Sequence, residues 1–176
     1  MYLGVPLDLG CFSLIEIRPT PSGAPEVFIS NKPAPLVISL SHREGAGMCA
    51  VTTAGARLGC DLELVETHSE AFISDYFTTA EQSLLYDRSD EKDSMVALIW
   101  SAKESALKAL HTGLRDDTCS VSVSVLDSPP CNGLWGRLSV QTRIDGRFHG
   151  WWQRVGPLVR TLIVDPPGQL PIAFSR

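Results

Sequence analysis

Short runs of alternating hydrophobic and polar positions fill the first third of the chain. Residues 12–17 alternate, and residues 36–40 and 48–53 are short apolar or β-branched runs, with glycines and prolines between them. Runs of this length and composition, bounded by such residues, are typical of β-strands. The stretch up to about residue 64 is therefore predicted to be β-rich.

The hydrophobic spacing changes after about Ser69. Thr78, followed by Glu81 in a first turn, predicts the start of a short helix. Residues 93–111 form the strongest predicted helix, because apolar side chains recur at steps of three and four and Gly113 follows as a stop. The recurring positions are Val96, Ile99, Trp100, Lys103, Leu107 and Leu110.

Strand-like patterns return beyond this helix. They cover residues 119–126, 135–144, 147–155 and 158–164, and Asp145-Gly146 predicts a tight hairpin turn. Strands, then helices, then strands again favour an α+β fold over a doubly wound sheet. We therefore predict antiparallel sheets packed with one long helix and one or two short ones.

Composition fits one soluble domain. The chain has 176 residues, no internal repeat and no linker-like segment. Its apolar runs are too short to span a membrane. A secretory leader begins with basic residues, whereas no basic residue precedes Arg18 here, so we do not expect export. Five cysteines form an odd set without close pairs, which predicts reduced, mostly buried thiols and a cytoplasmic location.

The charge distribution argues against nucleic acid as a partner. The net charge is -5, and residues 1–128 carry nine Lys and Arg against eighteen Asp and Glu. Residues 129–176 reverse the balance, with six basic against two acidic residues, but these arginines are spread along predicted strands. Binding to a phosphate backbone needs a clustered basic surface. A small basic surface for an anionic partner stays open.

Two carboxylates lie two positions apart near the end of a predicted strand. Asp61 and Glu63 point to the same side of that strand because side chains alternate with period two. A hard divalent cation such as Mg²⁺ takes oxygen ligands from such groups and leaves room for water and phosphate. The alternative is a pair of solvated acids on an exposed strand face.

The long predicted helix carries an acid and two lysines in apolar company. Glu104 and Lys108 lie four residues apart, which is the spacing of a surface ion pair. However, neighbours such as Trp100 and Leu107 predict a largely buried helix, where charged groups are costly without a function. We favour a functional role for Glu104, Lys103 and Lys108.

A histidine closes the strand predicted at residues 36–40. Ser41-His42 is followed by the glycine-containing turn 44–47. A histidine there can donate to a phosphate or act as an acid, assisted by Ser41, although a lone histidine is more often structural.

Taken in order, these motifs resemble the 4′-phosphopantetheinyl transferase family, which moves the phosphopantetheine arm of coenzyme A onto a carrier-protein serine. The resemblance extends over about residues 23–126, and the closing segment with Gly150-Trp151-Trp152 resembles the surfactin-synthetase-activating type. The motifs that carry it are Ser41-His42, Gly59-x-Asp61-x-Glu63, Tyr76-Phe77-Thr78-x-x-Glu81 and Trp100-Ser101-x-Lys103-Glu104-Ser105-x-x-Lys108.

The resemblance implies a metal site and a base. Asp61, Glu63 and Glu104 would hold Mg²⁺, with Mn²⁺ as the alternative ion. Glu104, or a water near it, would take the proton of the carrier serine. Lys108 would steady phosphate oxygens as 3′,5′-ADP leaves. The activity implied is that of a holo-[acyl-carrier-protein] synthase.

The resemblance also implies partners. Ser41, His42, Lys103 and Lys108 would bind coenzyme A as co-substrate. The acceptor would be an apo acyl or peptidyl carrier protein of fatty acid, polyketide or nonribosomal peptide biosynthesis. In this family an apolar docking surface follows the metal motif, which here means Phe72, Ile73, Tyr76 and Phe77; the alternative is that these residues only cover the core.

The chain departs from the family pattern in its first part. We predict one domain over residues 1–176, with an abbreviated β-rich half (1–57) and a second half holding the metal site (58–176). The family's Gly-(Lys/Arg)-Pro triplet reads Gly23-Ala24-Pro25 here, so Lys32 or Arg43 would have to supply the cation. A second copy of the chain or a synthase partner would complete the missing surface.

Two other functions remain open at this stage. A non-catalytic domain that binds carrier proteins or caps a synthase would explain the short first half and the missing cation. A metal-dependent nuclease would also use acids with a lysine, but the acidic balance of residues 1–128 disfavours a phosphate backbone.

Overall fold

A computed structural model describes residues 9–112, 116–127, 134–143 and 146–173 of the chain. Ten strands and three α-helices run along these segments. The strands are β1 (Ile15–Pro19), β2 (Pro25–Ile29), β3 (Lys32–Pro33), β4 (Leu36–Arg43), β5 (Ala46–Thr53), β6 (Arg57–Leu64), β7 (Val121–Val125), β8 (Gly136–Thr142), β9 (Gly146–Val155) and β10 (Leu158–Asp165). The helices are α1 (Glu70–Tyr76), α2 (Thr79–Asp87) and α3 (Lys92–Ala109), and short 3₁₀ turns lie at Leu9–Leu14, Ser89–Glu91 and Thr118–Ser120.

The two short helices begin at side-chain caps. The Ser69 hydroxyl accepts the backbone N–H of Phe72 at the start of α1. Thr78 and Glu81 form a reciprocal capping box at the start of α2, where each side chain accepts the other residue's backbone N–H. These bonds satisfy N–H groups that have no partner within the helix.

A five-stranded antiparallel sheet is the centre of the fold. Its strand order is β6-β10-β9-β8-β7, so the strand from the first half joins at one edge beside β10. Asp61 in β6 lies opposite Thr161 in β10. Alternate side chains of β8 are buried, because the helices cover one face of this sheet.

Helix α3 packs across that covered face. Twelve of its eighteen residues are buried, from Met95 to Ala109. The main core lies between α3, the short helices and the sheet, and includes Leu107, Val140, Phe148 and Ile163. A helix buried along so much of its surface is held by packing rather than by its own propensity.

The β4–β5 hairpin packs against the opposite face of the sheet. A second apolar cluster joins Ala50 of β5 to Leu58, Cys60, Trp151 and Val164 of the sheet. Strands β1, β2 and β3 form a separate small sheet. The α+β architecture, with antiparallel sheets, one long helix and short ones, is confirmed.

Several sequence-based boundaries are wrong. Residues 12–14 belong to a 3₁₀ turn rather than a strand, because pairing with β2 begins only at Ile15. The strand predicted from residue 119 begins at Val121, since Thr118–Ser120 form a 3₁₀ turn capped by the Asp117 side chain. Helix α1 was not predicted as an element, because seven residues give too little periodicity.

The described cysteines differ in their exposure to solvent. Of the three cysteines whose side chains are described, Cys60 is buried, Cys119 is half-buried and Cys49 is exposed, so the prediction of mostly buried thiols is wrong for this set. All three are free thiols.

Gly113 and Asp145 lie outside the described residues, although β8 and β9 pair as the predicted hairpin. Within the described segments, no helix is long and apolar enough to cross a membrane.

Candidate functional site

Gly59 brings strand β6 into direct contact with helix α3. A Cβ atom at this position would lie 1.8 Å from the Ser105 carbonyl oxygen and 2.8 Å from the Ala109 nitrogen. Both are backbone atoms that cannot move aside, so the first residue of the Gly-x-Asp-x-Glu motif must lack a side chain. This contact sets Asp61 and Glu63 beside the second half of α3.

Buried hydroxyls fix the rotation of α3 on the sheet. The Ser101 and Ser105 hydroxyls lie 2.9 and 2.7 Å from the Thr161 Oγ1 of β10, and all three residues are fully buried. A buried hydroxyl needs a partner. The two serines of the helix motif therefore hold the helix in register with the sheet, which turns Glu104 and Lys108 toward β6.

Asp61 is the most constrained carboxylate of the group. Its Oδ1 accepts a hydrogen bond from the Ser41 Oγ at 2.9 Å and lies 2.7 Å from the Lys108 Nζ. Its Oδ2 is buried and has no hydrogen-bond partner. An unpartnered carboxylate oxygen in a buried position is costly, which makes Oδ2 a ready ligand for a cation.

The side chains of Glu63 and Glu104 both have a raised pKa. Burial is the main cause that raises the pKa of both carboxyls above their usual value, and the nearby Asp61 carboxylate raises both further. Lys108 opposes these shifts at both groups, and Arg43 and Trp100 also oppose the shift at Glu63. The Glu104 Oε1 is buried without a partner, like the Asp61 Oδ2. The structure thus brings together the three acids that the sequence singled out.

The donor set fits a hard divalent cation by its chemistry. Three carboxylates with two unpartnered oxygens are ligands of the kind that Mg²⁺ prefers. Within the described residues, no three His, Cys, Asp or Glu side chains already converge on one point as metal ligands. Lys108 neutralises Asp61 in this arrangement. Binding of one ion by all three acids therefore requires side-chain movement.

Ser41 and His42 lie on strand β4, which runs beside β6. The Ser39 and Ser41 hydroxyls accept the backbone N–H groups of Cys60 and Leu62, at 2.9 and 3.3 Å. Ser41 is thus placed to orient Asp61 as well as to meet a ligand. His42 is exposed at the end of the strand, next to a turn in which Glu44 and Gly45 both adopt positive φ.

Lys103 does not face this site. Its ammonium is fully buried and lies 2.9 Å from the Glu81 carboxylate, and it donates to the carbonyls of Thr118 and Val121 at 2.9 and 2.6 Å. Its side chain has no exposed surface with which to meet coenzyme A. The structure therefore contradicts the expectation that Lys103 binds this ligand directly, because its three donors are used in the core.

Lys32 and Arg43 were proposed to replace the cation that the Gly23-Ala24-Pro25 segment lacks. Neither residue lines the cavity that this segment borders. Arg43 pairs with Glu66 at 2.5 Å, and its Nε lies 3.7 Å from the Glu63 carboxylate. Lys32 lies on β3 with its side chain exposed. Arg43 therefore contacts acidic side chains and does not line the cavity.

A cavity of about 660 Å³ opens next to Lys108. It lies between the start of β2, the middle of β4 and the end of α3, and this size is typical of ligand sites. Sequence reasoning missed His111 and Thr112 as part of this site; the positive φ of His111 (58°), visible only in the structure, is the signal that marks it. The lining residues are Ser22, Gly23, Ala24, Pro25, Ile38, Ser39, Leu40, Leu58, Lys108, His111 and Thr112.

The predicted docking segment divides between core and surface. Ile73 and Phe77 are buried core residues, so they cannot serve as docking side chains. Phe72 and Tyr76 pack edge to face against Trp100, with ring centroids 5.1 and 5.2 Å from that of Trp100, and Tyr76 is 39% exposed. Only this aromatic cluster of Phe72, Tyr76 and Trp100 remains as a candidate surface.

Among the comparisons with known proteins, a family model agrees with the motifs. No curated protein sequence matches the chain. A similar solved structure is that of Thermotoga maritima holo-[acyl-carrier-protein] synthase (AcpS), with 23% identity and a TM-score of 0.47. The similarity covers 61% of each chain, so the present chain spans less than two thirds of that protein. A model of the 4′-phosphopantetheinyl transferase superfamily (ACPS) matches residues 57–153, a segment that contains Asp61, Glu63, Glu104 and Lys108. Because this match covers more than half of the chain, the chain belongs to the 4′-phosphopantetheinyl transferase superfamily.

Proposed function

We propose that this chain transfers the 4′-phosphopantetheine arm of coenzyme A to a serine of an apo carrier protein in a Mg²⁺-dependent reaction. The observation that carries the proposal is the meeting of Asp61, Glu63 and Glu104 with Lys108 at the edge of a ligand-sized cavity. Membership of the superfamily supports the same reaction.

Asp61, Glu63 and Glu104 would hold the divalent ion. The ion supplies positive charge to phosphate oxygens, which is the main need of phosphoryl transfer. The two unpartnered oxygens, Asp61 Oδ2 and Glu104 Oε1, are the first ligands expected. Ser41 holds the other oxygen of Asp61, and this bond limits rotation of the carboxylate.

Glu104 is the proposed base. In the metal-free fold, burial and the neighbouring acids disfavour its charged form and so raise the pKa of its carboxyl. The carrier serine oxygen attacks the phosphorus that bears the pantetheine arm, and its proton passes to Glu104. The bond from that phosphorus to the bridging oxygen breaks, and 3′,5′-ADP leaves with the electron pair.

Lys108 connects the acids to the cavity. Its Nζ contacts Asp61 and the Cys60 carbonyl, and its side chain also lines the cavity. We propose that it turns from Asp61 to the phosphates of coenzyme A when the ion is bound. The nucleotide end of coenzyme A then occupies the cavity.

The aromatic cluster is the proposed contact for the carrier protein. Trp100 and Glu104 lie one turn apart on α3, so a carrier that contacts the ring of Trp100 would bring its serine close to the base. The cluster members pack edge to face, which keeps a rigid apolar surface partly open to solvent.

The test is mass spectrometry of an apo acyl carrier protein incubated with this protein, coenzyme A and Mg²⁺. A gain of one phosphopantetheine mass that disappears with EDTA supports the proposal. Glu104→Gln and Asp61→Asn should abolish the gain, whereas Glu70→Gln, an exposed acid on α1, should not. If carriers bind without any gain in mass, the non-catalytic carrier-binding function replaces the transferase.

A further inference from the structure

Arg43 lies between two carboxylates at the end of β4. Its Nη2 donates to the Glu66 Oε1 at 2.5 Å, whereas its Nε lies 3.7 Å from the Glu63 Oε2. The first contact is a hydrogen-bonded ion pair, and the second is too long for a hydrogen bond. One guanidinium is therefore shared unequally between Glu63, one of the three acids of the site, and Glu66, which follows β6.

The Arg43 Nε is an unsatisfied donor. It is buried and has no hydrogen-bond partner among the described residues. A guanidinium presents its N–H groups in a rigid plane and can hold carboxylates through several of them at once. Leaving one buried donor unbonded is costly. The Glu63 carboxylate is the ionised neighbour nearest to this donor, so a small turn of its side chain would complete the bond.

A bond from Arg43 to Glu63 opposes the binding of a metal ion. A carboxylate oxygen that accepts from a guanidinium has less negative charge to offer a cation, and the guanidinium itself repels that cation. Lys108 already acts in this way on Asp61. Glu66 acts in the other direction, because its shorter bond holds Arg43 back from Glu63.

We propose that Arg43 and Glu66 together set the affinity of the acid site for its divalent ion. Arg43 neutralises Glu63 in the metal-free protein, and Glu66 retains Arg43 when Glu63 turns to the ion. Both are positioning residues, since they act through Glu63, and the assignment rests on the proposed function. The competing explanation is an ordinary surface ion pair that joins β4 to the segment after β6, which would leave ion binding unchanged.

The experiment measures the dissociation constant for Mg²⁺ by calorimetry at pH 8. Arg43→Gln should bind Mg²⁺ about fivefold more tightly, because a cation beside the site is lost. Glu66→Gln should bind it about fivefold more weakly, because Arg43 is then free to bond Glu63. The control Arg57→Gln removes an arginine of the same exposed fraction, 37%, that pairs with Asp165, and should bind Mg²⁺ as the unchanged chain does.

A double variant separates the action of Glu66 through Arg43 from the effect of its own charge. If Glu66 acts through Arg43, the Arg43→Gln, Glu66→Gln double variant binds Mg²⁺ as tightly as Arg43→Gln alone. A fivefold loss from Glu66→Gln in both backgrounds would overturn the proposal, as would equal affinity of Arg43→Gln and the unchanged chain.

The outcome for the unchanged chain distinguishes this inference from the proposed function. If the unchanged chain binds no Mg²⁺, the proposed metal site and this inference fail together. If the variants follow the expected order but the chain transfers no phosphopantetheine to apo carrier protein, the inference stands and only the proposed transferase function fails.

Discussion

Two lysines of the same helix motif have opposite surroundings. Lys103 is sealed in the core with a carboxylate and two carbonyls as partners. Lys108, five residues later, lies half-buried among three acids, two of which keep an unpartnered buried oxygen. Complete satisfaction of polar groups marks a structural centre, and incomplete satisfaction marks a place where a ligand is expected.

Glu81, the buried partner of Lys103, also contacts two other parts of the fold. Its two oxygens accept the backbone N–H groups of Thr78 and Val123, and one of them also pairs with Lys103. The residue is 2% exposed. One carboxylate therefore joins the start of α2, strand β7 and helix α3.

The largest expected loss of stability follows from breaking this buried pair. Lys103→Met keeps the length of the side chain but leaves the Glu81 carboxylate buried without its cation, which should cost about 3–5 kcal/mol of unfolding free energy. Urea denaturation measures the change. The control Lys92→Met removes a solvent-exposed pair with Glu70 and should cost far less, because exposed ion pairs contribute little to stability. Equal losses in the two variants would contradict the contrast between core and surface lysines.

Gly59→Ala tests the contact between β6 and α3 that sets Asp61 beside Glu104 and Lys108. The added methyl group would meet the Ser105 carbonyl, so β6 and α3 must separate, at a cost of about 3 kcal/mol. The variant should also lose metal binding, since Asp61 moves away from Glu104. Gly47→Ala is the matched control, because its Cβ would meet nothing within 4 Å and its φ is ordinary. A Gly59→Ala protein as stable as this control would refute the close-packing argument.

A smaller loss is expected when the helix register is loosened. Thr161→Val removes the hydroxyl shared by Ser101 and Ser105 while it keeps the shape of the side chain. The two serines then lie buried with one partner fewer, and we expect a loss of about 1–3 kcal/mol in chemical denaturation. Thr142→Val on β8 provides a second buried threonine for comparison. No measurable change would show that packing alone fixes the helix.

The smallest change in stability has the opposite sign. The pKa of Glu104 is raised in the fold, so its carboxylate destabilises the metal-free protein once it ionises. Below the unfolded pKa, near 4.5, both states are protonated and the effect is absent. It grows as pH rises from the unfolded pKa to the raised folded pKa and stays constant above it. Glu104→Gln should therefore melt about 2–4 °C higher at pH 8 and no higher at pH 4, in EDTA.

Excess Mg²⁺ sharpens the same experiment. A bound ion stabilises only the protein that binds it, so Mg²⁺ should raise the melting temperature of the unchanged chain and leave Glu104→Gln nearly unaffected. A glutamine variant that melts below the unchanged chain at pH 8 in EDTA would show that Glu104 is not under electrostatic strain.

Sequence reasoning was most successful where the pattern was long or the motif had a local cause. The eighteen-residue α3 and the β8–β10 meander follow directly from periodicity, and the start of α2 follows from Thr78 with Glu81 in the first turn. Asp61, Glu63 and Glu104 were singled out together, and the structure brings them together. Their roles, and the surfactin-synthetase-activating type, stay predictions.

The rest depends on contacts between distant segments. Lys103 and Lys108 look equivalent in the motif, and only the packing of α2 and β7 shows that the first is internal. No sequence pattern singled out His111, because its place in the cavity lining depends on how the end of α3 packs near β2 and β4. Ile73 and Phe77 were assigned to a docking surface on the family resemblance, with core burial as the alternative, and the structure places both in the core.

The absence of a side chain at Gly59 has a further consequence for how the molecule opens. Since backbone meets backbone there, β6 and α3 cannot part slightly and let water enter; they separate only when the whole core does. Amide protons on residues 59–62 and 101–108 should then exchange with solvent at the slowest, globally limited rate, whereas those of β1–β3 exchange by local opening. The backbone positions that carry the three acids would then keep their spacing short of unfolding, while the side chains stay free to turn toward an ion.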